Sequence, residues 1–273
     1  MKRMHLSKNA VLMFPLILLC LIVLTACDVR VIESDDDVDN TNFFAAETFS
    51  FEIGVKNQTR LNLEAINGPV DVVGVPNATA ARIWGERRVE SESEADAQAH
   101  LKDLEVRLTE RQDELSVKTI QPDNSRGRNY KVVYHLRIPN AWKLSLDHVN
   151  GMVTIDSLKN EVSTKVINGS VQLREIFGSV AAESVNGQVT GKLALPPQGT
   201  CKMSTINGQI LLTIPKTTSA EFSASVTNGD INLANLPLNN SASTPKSLRG
   251  KMGDGQGTIT LSTVNGNISV SGF

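Results

Sequence analysis

Few side chains in this sequence could do chemistry, and they are scattered. The 273 residues hold four histidines, His5, His100, His135 and His148, and three cysteines, Cys20, Cys27 and Cys201. Asp147-His148 is the one place where an acid and an imidazole adjoin, the minimum for general acid–base work near neutrality. The plainer reading is a solvent-exposed pair at the mouth of the repeats. Metal sites need His, Cys or carboxylates at ligand spacing, and no such cluster is visible. Neither a G-x-S-x-G elbow nor a phosphate loop occurs. A carbohydrate-active β-helix enzyme is the main catalytic alternative. It would need paired carboxylates, or a base with cationic groups, converging on one face. A sugar-binding groove would carry an aromatic stripe, yet beyond Asn150 the aromatics are only Phe177, Phe222 and Phe273. The expectation is a non-enzymatic protein with no catalytic residue, metal or cofactor.

Cys27 is different, because its surroundings suit acylation. Lys2, Arg3 and Lys8 precede an apolar run from Ala10 to Leu24. That run is about fifteen residues, the length of a signal core and short of the roughly 20 a spanning helix needs. It ends in Leu24-Thr25-Ala26-Cys27, which resembles the lipobox of bacterial lipoproteins, where the Cys is acylated through sulfur and becomes the first mature residue. The resemblance implies a signal peptide over 1–26, palmitate on Cys27, and the lipid bilayer as a partner. An uncleaved signal anchor is the competing reading. Asp28 resembles the signal that holds enteric lipoproteins at the periplasmic face of the inner membrane, so that face is favoured over the outer membrane. Cys20 would leave with the signal, so Cys201 stands alone, unable to form an intramolecular disulfide, and reads as a buried small hydrophobe.

Removing the signal's three basic residues leaves 24 Lys/Arg against 29 Asp/Glu, a formal charge of −5. Nothing in that balance attracts nucleic acid. Glu33, Asp35, Asp36, Asp37 and Asp39 mark an acidic tether over 27–46. A calcium loop would need a Gly and a bidentate Glu at set spacing, which are missing. From Glu47 the pattern turns strand-like, with Phe49, Phe51, Ile53 and Val55 alternating with small or polar residues. One helix is expected near 93–104, capped by Ser91 or Ser93. Strands are expected at Leu104–Leu108, Leu115–Ile120 and Tyr130–Ile138, giving a β-rich N-terminal part over 47–148.

The rest, 149–273, is organised by Asn-Gly. After Asn67-Gly68 the dipeptide recurs at Asn150-Gly151, Asn168-Gly169, Asn186-Gly187, Asn207-Gly208, Asn228-Gly229 and Asn265-Gly266. Those six are spaced by 18, 18, 21, 21 and 37 residues, the period of a coiled array. Residues 150–194 divide into five nine-residue arms: NGMVTIDSL, KNEVSTKVI, NGSVQLREI, FGSVAAESV and NGQVTGKLA. Their fourth position is Val153, Val162, Val171, Val180 and Val189. The seventh is always charged, with both signs represented, the arrangement of a soluble surface. The ninth is always apolar: Leu158, Ile167, Ile176, Val185 and Ala194. Inward valine and outward charge at fixed offsets give every arm the same face toward one core. Gly accepts the positive φ of a sharp corner, and stacked Asn amides can bond in a ladder. An antiparallel meander of Asn-Gly hairpins is the rival, but the alternate corners, Leu158-Lys159-Asn160 and Ile176-Phe177-Gly178, lack the dipeptide. In stacked coils Asp156 lies beneath Arg174 as an exposed ion pair. Residues 235–257 read as a loop inserted in the last full coil, and the strand Ile268 to Val270 closes the stack.

The motifs VNGMVTI, INGSVQL, VNGQVTG, INGQILL, TNGDINL and VNGNISV, with the segment Leu136-Arg137-Ile138-Pro139-Asn140-Ala141-Trp142, resemble those of the DUF4097-type bacterial adhesin-like families of unknown function. The resemblance covers 47–273 as one continuous domain. It implies an all-β fold, a right-handed parallel β-solenoid of 18–21-residue coils, with no established catalytic residues. The expected role is an adhesin-like binding module or scaffold of the cell envelope, meeting an envelope protein or glycan. An accessory role in an envelope-stress circuit is a further alternative. For the anchor, Cys27→Ala is expected to leave the precursor unprocessed and unlabelled by palmitate in growing cells. Undiminished labelling would remove the lipobox assignment.

Overall fold

The computed structural model describes residues 43–273. The signal segment, Cys27, Asp28 and the acidic run of the tether lie outside them. The N-terminal strands are β1 (Phe43–Gly54), β2 (Arg60–Asn67), β3 (Val70–Val75), β4 (Ala80–Ser91), β5 (Glu105–Glu110), β6 (Glu114–Ile120) and β7 (Asn129–Pro139). Next come β8 (Lys143–Asn150), β9 (Val153–Asp156), β10 (Val162–Asn168), β11 (Val171–Ile176), β12 (Val180–Asn186), β13 (Val189–Leu193), β14 (Thr200–Asn207) and β15 (Ile210–Ile214). The chain ends with β16 (Ala220–Asn228), β17 (Ile231–Ala234), β18 (Asn239–Thr244), β19 (Ser247–Met252), β20 (Gly257–Asn265) and β21 (Ile268–Gly272). The helix α1 spans Glu94–His100 and runs into a single 3-10 turn at Leu101–Asp103. Ser93 caps it, its side chain accepting from the Asp96 amide.

Two sheets face each other. One runs β1-β4-β7-β3-β9-β11-β13-β15-β21-β17 and the other β18-β19-β16-β20-β14-β12-β10-β8-β2-β6-β5. Every coil gives one strand to each sheet, and strands of successive coils pair in parallel. This is a parallel β-solenoid, and the antiparallel meander is excluded. Antiparallel pairing is confined to the ends, at β1/β4, β4/β7 and β5/β6 on one side and at β16/β19 and β18/β19 on the other.

The columns of the repeat are in register. Val153, Val171 and Val189 pair in sequence across β9, β11 and β13, and Ile210 continues the row. In the opposite sheet Leu144, Val162, Val180 and Cys201 form the matching row. All are buried, and each such aliphatic side chain removed from water is worth about 1.5–3 kcal/mol. Asn67 pairs with Asn150 and Val70 with Val153, so β2/β3 is a coil of the same stack. A boundary between 148 and 149 would cut β8 in two. The expected tether also shortens, because residues 43–46 already belong to β1.

Four finer expectations are corrected. The ninth position of the arms alternates: Leu158 and Ile176 are fully buried, whereas Ile167 is 47% and Val185 37% exposed. The chain tucks its apolar residue inward at one corner of the coil and outward at the other. Asp156 and Arg174 are neighbours in register, but no ion pair joins them: Arg174 donates to Gln172 and Asp156 accepts from Ser157. Residues 235–257 are no simple loop, since they hold the hairpin β18/β19, which pairs with β16. Nor does the segment Ile268–Val270 close the stack. β20 lies between β14 and β16, and β21 between β15 and β17, so the last coil in sequence is threaded inside the last coil in space. The spacing of 37 is the detour through the hairpin.

The corners carry a continuous asparagine ladder. Asn150 Nδ2 donates to Asn67 Oδ1 at 2.7 Å. Asn168, Asn186, Asn207, Asn265 and Asn228 follow, each donating to the one before at 2.8 Å. The glycines obey a stricter demand than positive φ. A Cβ on Gly169 would lie 1.8 Å from the Gly151 carbonyl oxygen, and one on Gly187 2.0 Å from that of Gly169. Only a residue without a side chain lets the backbones approach this closely.

One interior hydroxyl is out of place. Thr164 Oγ1 is buried without a hydrogen-bond partner, in register between Leu146 and Ala182. Replacing an unsatisfied buried hydroxyl by a methyl recovers about 1–3 kcal/mol. Thr164→Val is therefore expected to raise the urea midpoint, and a lowered midpoint would show that the hydroxyl is satisfied.

Candidate binding face

The residues singled out for chemistry do not meet. Asp147 and His148 are consecutive on β8, so they point to opposite sides of the sheet. Asp147 is exposed, while His148 is only 3% exposed, which corrects the reading of a solvent-exposed pair. The imidazole fills an inward column with Ala65 and Val166, and a Cβ on Gly151 would lie 2.8 Å from its Nε2. Neither ring nitrogen has a well-formed hydrogen bond. Burial holds its pKa below the ordinary 6.5, opposed by the nearby backbone of Ala65, Gly68 and Asn150. Further along the same column Ser184 and Thr205 donate to the carbonyls of Gly169 and Gly187 at 3.0 and 2.9 Å, so the column supports the corners.

His100 lies between two carboxylates, with Nδ1 2.6 Å from Asp103 Oδ2 and Nε2 3.6 Å from Asp96 Oδ1. Asp96 is already engaged: Arg128 grips both its oxygens at 2.6 Å, and Ser91 donates to it as well. These bonds hold the Asp96 carboxyl well below the usual carboxylate range. Ser91 bonds Asp96 and not the imidazole, so no nucleophile–base–acid order exists here. The network fastens α1 to the strands beneath it. Cys201 is buried in its valine row, and burial pushes its thiol up to about 12, a hydrophobe and no nucleophile.

Chemistry of a different kind gathers on the outer face of the first sheet. Trp84 of β4 stands directly across from His135 of β7, which stands across from Asp71 of β3. The Trp84 and His135 rings stack at 5.6 Å with a 27° interplanar angle. The Arg137 guanidinium lies 5.6 Å from the centre of the Trp84 ring and donates to Asp71 at 3.2 Å. Beside them Arg82 pairs with Glu52 at 3.1 Å and Arg88 with Glu86 at 3.1 Å. The result is a half-exposed aromatic pair ringed by charges that are already matched. Alternation in Ala81-Arg82-Ile83-Trp84 already sets Trp84 outward, but its meeting with His135 depends on a pairing some fifty residues apart, and an aromatic search confined to the repeats passes over it.

A second surface runs along the Asn-Gly corners. The residues just before the asparagines, Ile167, Val185, Ile206 and Val264, are exposed and follow the order of their strands, forming an apolar ridge beside the amide ladder. Among the described residues, no three His, Cys, Asp or Glu side chains converge as a metal site.

The sequence profile of the family described as Toastrack DUF4097 matches residues 22–271. No curated protein matches the chain. Among solved structures, it is similar to a "putative cell adhesion protein" from Clostridium sporogenes, with 11% identity, 83% of this chain and 100% of that one covered, and a TM-score of 0.48. It is also similar to a "putative adhesin" from Bacteroides fragilis, with 13% identity, 83% and 97% covered, and a TM-score of 0.37.

The buried imidazole makes stability depend on pH. The unfolded chain takes up a proton near 6.5 more readily than the folded one does. The His148 contribution is therefore fully present above 6.5 and is lost as pH falls from there through the lowered folded value. His148→Thr, the residue type found at Thr205, is expected to flatten that component in urea midpoints taken from about pH 7.5 down to about pH 5. Parallel pH profiles for the two proteins would place the imidazole in solvent.

Proposed function

This chain belongs to the Toastrack DUF4097 family, and on that premise we propose that it is a lipid-tethered, non-enzymatic binding module of the cell envelope. The stack acts as a rigid support, and the Trp84–His135 face holds the ligand. The observation that carries this reading is the stacked aromatic pair across the antiparallel β4/β7 pairing, with Arg137 and Asp71 at its rim. An aromatic plane offers an apolar surface to the C–H face of a sugar, while a guanidinium and a carboxylate reach its hydroxyls. The carboxylates nearby are each engaged by an arginine, Asp71 by Arg137, Glu52 by Arg82 and Glu86 by Arg88. Carboxylates so held suit recognition better than proton transfer, which supports binding over hydrolysis.

The anchor fits the same reading. Cys27 precedes Phe43 by sixteen residues, which span at most about 55 Å when extended. A domain so tethered works close to the bilayer, at the periplasmic face of the inner membrane by the Asp28 signal, and its ligand is an envelope glycan within that reach.

The test is co-sedimentation of the purified chain with insoluble cell-wall polysaccharides, with soluble products assayed alongside. Retention is expected for the wild type and a loss of about tenfold or more for Trp84→Ala, the effect of removing an aromatic anchor. Equal retention of both proteins, or release of sugar products, would overturn the reading.

A further inference from the structure

The seven Asn-Gly corners share their sequence and, from Asn150 onward, their exposure, but they differ in one hydrogen bond. At six of them the glycine amide donates to the asparagine carbonyl of the next coil. The pairs are Gly68 to Asn150, Gly151 to Asn168, Gly169 to Asn186, Gly187 to Asn207, Gly208 to Asn265 and Gly266 to Asn228, at 2.9–3.0 Å. Asn228, at the end of β16, is the last rung in space, because β16/β17 is the outermost coil and the hairpin strand β19 pairs with β16 only from Ala220 to Ser225. Among the described residues the Gly229 amide has no acceptor, and the Asn228 Oδ1 accepts from no donor. The backbone there is otherwise like its neighbours, with φ of 145° at Gly229 against 143° at Gly151 and 152° at Gly266.

We propose that Asn228-Gly229 is a built-in site of spontaneous succinimide formation, the one corner of the ladder open to asparagine deamidation. The Gly229 nitrogen, after losing its proton to hydroxide, attacks Asn228 Cγ. The N–Cγ bond forms, the Cγ–Nδ2 bond breaks, and Nδ2 takes up a proton and leaves as ammonia. One water then opens the ring at either carbonyl, giving aspartate or isoaspartate, with no change of oxidation state. One contact and one missing neighbour assist. The Asn228 carbonyl accepts from the Gly266 amide at 2.9 Å, which draws electron density from the Asn228–Gly229 peptide and favours loss of its proton. No neighbouring coil lies over Gly229 to hold its nitrogen. At the six inner corners the same proton is committed to the next coil, so attack there requires local opening of the stack.

The product changes the last rung. Asn228 Nδ2 now donates to Asn265 Oδ1 at 2.8 Å; a carboxylate in its place sets acceptor against acceptor and adds charge beside Asp230. Isoaspartate also lengthens the backbone within a row where Asn228 pairs with Asn265, so the outermost coil loosens first.

The experiment is peptide mapping by mass spectrometry of the full chain held in mildly alkaline buffer, with isoaspartate detected by enzymatic methylation. The amide-to-acid conversion is expected at Asn228 at least about tenfold faster than at any inner corner, and in urea the seven rates should converge as the stack opens. Hydrogen exchange read on the same protein should find the Gly229 amide unprotected and the six inner glycine amides protected. Comparable native rates at all seven corners, or a protected Gly229 amide, would overturn the assignment.

Discussion

The structure depends on how closely two backbones can pass at the Asn-Gly corner. Parallel strands about 4.8 Å apart bring each corner glycine against the carbonyl of the glycine below, with no room for a Cβ at Gly169 or Gly187. Once the backbones are that close, the neighbouring asparagine amides fall within bonding distance, and the valine rows on either side come into register without further instruction. The exposed amide bonds of the ladder are worth little individually, about 0.5–1.5 kcal/mol each. Their value is directional: each fixes which residue lies above which, so a slip of one residue, which would turn Val171 outward, also breaks the rung.

The two ends of the stack solve a common problem in the same way. A solenoid wound strictly in sequence order presents bare strand edges at both tips, and bare edges recruit other chains. Here neither tip is built in sequence order. Near the N-terminus the coil β6/β7 packs outside β2/β3 and is covered by the antiparallel strands β1, β4 and β5. Near the C-terminus β16/β17 is outermost, and the hairpin β18/β19 covers its half in the second sheet. Every residue of β18, Asn239 to Thr244, is exposed and all but Ala242 are polar, which suits a strand that should pair no further. Among the described residues β17, four residues long, is the one strand of an outermost coil with no antiparallel strand laid over it, and that is also where the ladder ends.

How much of this is readable in the sequence depends on the range of the cause. The valine columns and the outward charges are local, set by strand alternation and a fixed period, and residues 150–194 display both. The helix is local too, marked by Ser93 and the acidic first turn. His148 had a usable signal, since Leu144, Leu146 and His148 alternate and must share a face. The ninth position shows where composition fails: Leu158 and Ile167 are both apolar, but one sits at a corner that turns inward and the other at a corner that turns outward. The order of coils in space is beyond reach for a related reason. Asn-Gly spacing counts coils and is silent on which coil neighbours which, so threading β20/β21 beneath β16/β17 leaves no local trace. The Trp84–His135 pairing is hidden in the same way, because β4 and β7 find each other across the helix and two intervening strands.

That threading sets a timetable for the growing polypeptide. Synthesis delivers β16 and β17 well before the segment that must slide beneath them, so the distal tip has no seat until β20 and β21 arrive. Up to that moment β14 and β15 offer an unfinished edge, and the hairpin has nothing beneath it to cover. A polypeptide cut short before Gly257 would therefore carry β16 and β17 with no coil to dock on.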